Sequence, residues 1–198
     1  QLPPDQSAMP DEVYLLNTLA LTRDPRIIGL WEQIAARLDV TPDSLRDGAA
    51  GTFYWVDTVA AGAERLGDPA ALPALERLHA SPALHAQHRP GGVEPDDFQE
   101  RRAMLELGLA RALAHCGSRR GVDVLIAYLD DSRKPLAAQA HRRLCAVYDL
   151  PPESAPDHRD TPAWRALHTP PPRPLPWRHD PHRADLPEEF RPGRPTAE

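Results

Sequence analysis

The stretch GSRRGVDVLIAYLDDSRKPLAAQAHRRL, residues 117–144, decides the fold. Val122, Leu125, Ile126 and Leu129 recur at i, i+3, i+4 and i+7, which puts all four on one face of a 3.6-residue helix. Beyond a break at Asp130, Asp131 and Ser132, the residues Leu136, Ala140, Leu144 and Val147 fall on one face in the same way. The segment therefore predicts two amphipathic helices packed antiparallel across a tight turn. Neither can bury its stripe alone, so similar pairs are expected to stack on it.

Upstream, the same pattern returns. Val13, Leu16, Leu19 and Ala20 make one stripe, and Ile27, Trp31, Ile34 and Leu38 make the next. Between them Asp24 and Pro25 form a helix start, the carboxylate capping free N–H groups and the proline sitting where an N–H is not needed. Thr41 and Pro42 are placed to open a short helical turn in the linker 41–48. A longer helix follows, carrying Phe53, Val56, Val59, Ala63 and Leu66, with Gly67 positioned to end it. Asp68 and Pro69 repeat the earlier start 44 residues on, and Leu72, Leu75 and Leu78 mark the partner helix. The run 81–95 breaks any helical period with three prolines and two glycines, and reads as a loop inserted at one edge. Phe98, Leu105, Leu109, Leu113 and Cys116 then define the longest helix, before Ser118 opens the pair described first.

This succession, helix, then G-D-P or G-S-R, then a helix with L-x-x-L, then D-D-S-R and an Ala-rich helix, resembles HEAT repeats, in particular the short bacterial phycobilisome-lyase-like type. The 44-residue spacing from Asp24 to Asp68 falls within the roughly 40–47 residues of HEAT and armadillo units. The resemblance covers about residues 11–148 and is clearest in GDPAALPALERL and in residues 117–144. It implies an all-α, α-α superhelix of three helix pairs plus a final helix, an armadillo-like solenoid whose second helices line a concave groove. By that likeness the groove would hold Glu32, Gln33 and Arg37, then Arg77, then Arg120, Asp123 and Tyr128. The run from NTLALTRDPRIIGLW to LPALERL also looks like the C-terminal helical region of some bacterial FAD-dependent oxidoreductases. No flavin-binding fingerprint occurs in it.

Of 24 prolines in 198 residues, 13 lie after Leu150. The chain divides into a polar lead-in (1–10), a helical repeat domain (11–150) and a Pro-rich tail (151–198), expected to be mostly disordered because proline at this density blocks helix and sheet alike. Within the tail Thr161 and Pro162 are placed to start one short helix, whose Trp164 and Leu167 would close the end of the last pair. Net charge is −6, and no basic patch recommends nucleic acid. Lys134 is the only lysine, a skew to which no function attaches. Cys116 and Cys145 read as buried free thiols. No apolar run is long enough to span a membrane, so a soluble, preferentially cytoplasmic protein is expected. The chain opens on Gln1 rather than Met, which fits a processed product or a piece of something longer.

No catalytic or phosphate-binding motif is present. His79, His85 and His88 lie close in sequence, as do His179 and His182, but neither spacing matches a zinc motif, so no metal and no cofactor is assigned. Glu64 and Glu106 stand on helices expected to be neighbours, and read as solvated or capping charge rather than an acid–base pair. Phe53, Tyr54 and Trp55 spread around one helix, and Trp55 is the aromatic picked for a partner surface. A PxxP at Pro171 and Pro174 reads as a stiff tail. The expected function is a non-catalytic scaffold that binds a protein or peptide. The alternative is an accessory domain of a larger enzyme, possibly an FAD-dependent oxidoreductase, contacting the rest of the same polypeptide.

Overall fold

The computed structural model describes residues 9–48, 50–92, 96–151 and 153–175. Among these residues the chain is entirely helical, with no strand. The helices are α1 (Asp11–Leu21), α2 (Ile28–Arg37), α3 (Pro42–Arg46), α4 (Thr52–Leu66), α5 (Leu72–His79), α6 (Asp97–His115), α7 (Arg119–Ala127), α8 (Lys134–Tyr148) and α9 (Thr161–Ala166). Short 3₁₀ turns lead into α2 and α5, and another follows α7. Asp24 and Asp68 cap the two leading turns alike, accepting from the N–H of Arg26 and of Ala70 at 2.9 Å. Thr41 and Ser44 form a reciprocal capping box on α3.

α1 packs on α4, α4 on α6 and α6 on α8, while α2 lies against α5, and α7 against α6 and α8. The arrangement is an all-α bundle built on α6, which is apolar on two faces. Leu105, Leu109, Ala112 and Leu113 enter a first core with α1 to α5. Ala103, Leu107, Ala110 and Ala114 enter a second with α7 and α8. Each set keeps helical spacing, so one helix serves as a wall between two cores. Small residues bring α7 close to that wall, for a side chain at Gly121 would stand 2.3 Å from the Ala110 carbonyl.

The stripes at Val122–Leu129 and Leu136–Val147 are buried as their spacing requires. Leu19 is not, being half exposed because α1 is the first described helix of its layer and no described residue packs on its outer side. The segment 81–92 also departs from an edge insertion. Ala83, Leu84 and Gln87 are buried, and the Ser81 hydroxyl donates to the Val40 carbonyl at 2.6 Å.

The Pro-rich segment is in contact with the bundle as far as it is described. Asp160 rather than Thr161 caps α9, and Trp164 is fully buried in the second core, edge-on to His141 and beside Tyr148. Residues 170–175 then run as a strap over the C-terminal ends of α4, α6 and α8. The Arg173 N–H donates to the His115 carbonyl at 2.9 Å, and its guanidinium reaches the Ala146 carbonyl and the Asp149 carboxylate, both at 3.2 Å. Gly67 and Gly117 allow the approach. Both hold positive φ angles that end their helices, and a Cβ on Gly67 would meet the Arg173 backbone at 2.2 Å, one on Gly117 the Pro172 ring at 2.7 Å. The remainder of the tail, 176–198 with His179 and His182, lies outside the described residues.

Candidate functional site

The residues assigned to a groove separate into three groups. Glu32, Gln33, Arg37 and Arg77 are exposed on α2 and α5, which pack together. Arg120 and Asp123 are exposed on α7, where Asp123 pairs with Arg119 at 2.9 Å. The segment 81–92 bridges α5 to the turn after α7 rather than leaving an open groove there. Tyr128 does not face a partner at all. It is fully buried and its hydroxyl donates to Glu106 at 2.7 Å, because the chain tightens to a 3₁₀ turn at this position and swings the ring inward. Trp55 is half-buried against the first core.

Glu106 is the centre of the polar interior. It projects from α6 toward segment 81–92 and accepts from the N–H groups of Ala86 and Gln87 at 2.7 and 2.8 Å and from Tyr128. Burial alone would push its pKa up, but the His79 ring, the Tyr128 hydroxyl and the two N–H groups outweigh that and hold it below the usual carboxylate range. Tyr128 is pushed well above its ordinary value by burial and by that carboxylate. Glu106 also holds Ala86 in the left-handed region at φ 57°, a conformation that costs a non-glycine residue about 1–2 kcal/mol. Beside it, Arg133 makes a two-point contact with Asp131 at 2.8 Å and donates to the Gln87 carbonyl at 2.7 Å, while Asp131 accepts from the Arg89 N–H.

Glu64 is likewise buried rather than solvated. It pairs with Arg111 of α6, and the His115 ring lies 3.8 Å away. His115 is buried; burial, with the Arg111 and Arg173 guanidiniums nearby, brings its pKa down to about 4 against the pull of the Arg173 backbone. Glu64 and Glu106 thus serve separate clusters. Cys116 and Cys145 are buried free thiols, and burial pushes Cys116 up to about 12, far from a reactive thiolate.

The sequence shows His79 as a neighbour of His85 but not its burial. His79 is fully buried on α5; its Nε2 contacts Glu106 Oε1 only at 3.4 Å, and its Nδ1 has no hydrogen-bond partner. The His85 ring meets it edge-on at 5.2 Å and is exposed.

The outer surface carries one further feature. Among the described residues six large apolar side chains are 40–65% exposed, and five of them, Tyr14, Leu15, Leu19, Leu21 and Leu30, belong to α1 and α2. Met104 is the sixth. At the opposite end of the bundle Trp164 and Leu167 pack on the second core. No helix among the described residues is long and apolar enough to cross a membrane. Comparison with protein-family models, with curated proteins and with solved structures finds no match to this chain.

Proposed function

We propose that the chain is a HEAT-like α-α solenoid, used as a scaffold that binds a partner protein through the outer face of its first helix pair. The solenoid reading draws on the order of packing, in which α1 lies on α4 and α2 on α5, α4 on α6 and α6 on α7, and on the identical Asp-Pro starts of α2 and α5. The observation that carries the binding reading is the concentration of exposed apolar side chains on α1 and α2, against a far end covered by α9. Terminal repeats are ordinarily capped by polar faces, so an apolar end left open among the described residues calls for a covering element. The occupant that fits is an amphipathic helix of a partner protein, which would extend the stack by laying its own apolar stripe over Leu15 and Leu19. Mixed charge on the neighbouring faces of α2 and α5 suits a protein better than a polyanion.

Site-specific photo-cross-linking tests this. A photoreactive residue at position 15 or 19 should yield one defined protein adduct in cells, and the same residue at position 77 should yield none. Adducts from position 77 alone would return the contact to the α2/α5 groove. Absence of any adduct at 15 and 19 would remove the end-face reading.

A further inference from the structure

We infer that His79, His85 and Glu106 form a binding site for a divalent transition metal of the zinc class. The inference is independent of the partner-binding proposal. Ligand atoms of the three side chains lie within 4.8 Å of one another. They come from three elements, α5, the segment after it and α6, so the fold assembles what sequence spacing does not display.

His79 provides the main reason. It is a fully buried imidazole whose Nδ1 has no hydrogen-bond partner and whose Nε2 has only the 3.4 Å contact with Glu106, so its polar atoms are poorly compensated for their loss of water, which is costly unless something else engages them. Two imidazoles and one carboxylate are a known zinc donor set that leaves a fourth position open. The exposed His85 supplies the way in. Zinc bonds of about 2.0–2.2 Å put tetrahedral donors about 3.4 Å apart. Glu106 and His79 are already near that separation at 3.4 Å, so His85, on the exposed side, is the group that must close in.

The surroundings also suit a ligand set. Ligating carboxylates are normally held by outer hydrogen bonds. Here Glu106 Oε2 is fixed by Tyr128 and by the Gln87 N–H, while Oε1 accepts from the Ala86 N–H and faces His79. The nearby His88 is engaged elsewhere, 2.7 Å from Asp130.

The test is a calorimetric titration of Zn²⁺ into the full chain after chelator treatment. One equivalent should bind, and His85→Ala should weaken binding at least tenfold, with His85→Gln as a second variant preserving side-chain volume. His88→Ala and the double variant H179A/H182A should bind as the parent chain does. Zinc-edge X-ray absorption should report nitrogen and oxygen ligands without sulfur. The assignment is overturned by an absence of binding, by parental affinity in the His85 variants, by loss of binding in H179A/H182A, or by a sulfur ligand.

Discussion

Replacing Gly67 by alanine probes two roles that one residue serves. Its φ of 61° ends α4, and a Cβ there costs about 1–2 kcal/mol from the left-handed conformation alone. The same Cβ would stand 2.2 Å from the carbonyl carbon and oxygen of Arg173. Backbone cannot rotate out of the way, so the strap must lift. Lifting forfeits the Arg173 N–H bond to His115, about 0.5–1.5 kcal/mol, and the contacts of the buried Pro170 and of Pro172 over Gly117. We expect about 2–4 kcal/mol lost in the full chain, out of a typical total of about 5–15. Urea denaturation of four proteins measures it: the parent, Gly67→Ala, a chain ending at Thr169, and the combination. In the shortened chain the alanine should cost only its conformational penalty, about 1–2 kcal/mol, which leaves a coupling of about 1–2 kcal/mol between residue 67 and the strap. A coupling under about 0.5 kcal/mol would mean that the strap does not lie on Gly67.

Leu125→Ala, at the centre of the second core, should cost about 2–5 kcal/mol in urea titration, and a loss under about 0.5 would put its stripe on the wrong face. Tyr128→Phe deprives Glu106 Oε2 of a donor in a buried setting, which should cost about 1–3 kcal/mol by the same assay; a neutral result would mean that the hydroxyl bond is not made. His115 binds a proton below about 6.5 when unfolded and only below about 4 when folded, so its contribution is intact above pH 6.5 and is lost as pH falls toward 4. By pH 5 the loss from this residue should approach about 2 kcal/mol, seen as a steeper drop in stability from pH 7 to 5 than in His115→Leu. Equal drops in the two proteins would refute it.

Much of the helical layout is legible in the residues themselves, because a single stripe at 3.6 spacing needs only one partner. Leu125 and Leu144 announce their burial that way, and Asp24-Pro25 and Asp68-Pro69 announce where helices begin. What escapes is whatever depends on a second, distant neighbour. The Ala103–Leu107–Ala110–Ala114 face of α6 is built largely of alanines, too weakly apolar to stand out beside Leu105 and Leu109. Leu19 fits its stripe, yet among the described residues α1 has no helix on its outer side. Glu106 looks like surface charge until segment 81–92 folds back to deliver two N–H groups and Tyr128 turns inward. Gly67 is recognisable as a helix end, whereas its clearance for Arg173 depends on a residue more than a hundred positions away. His79 and His85 are visible as neighbours, but the carboxylate that makes them a donor set comes from another helix.

Affinity for the cross-linked partner, measured by calorimetry with the parent chain and with the double variant L15E/L19E, tests the proposed binding face most directly. Burying a leucine contributes about 1.5–3 kcal/mol, so placing charge at both positions should weaken binding on the order of a hundredfold or more, with Arg37→Glu and Arg77→Glu close to the parent. Unchanged affinity in L15E/L19E together with loss in the arginine variants would contradict the end-face account and assign the partner to the α2/α5 surface.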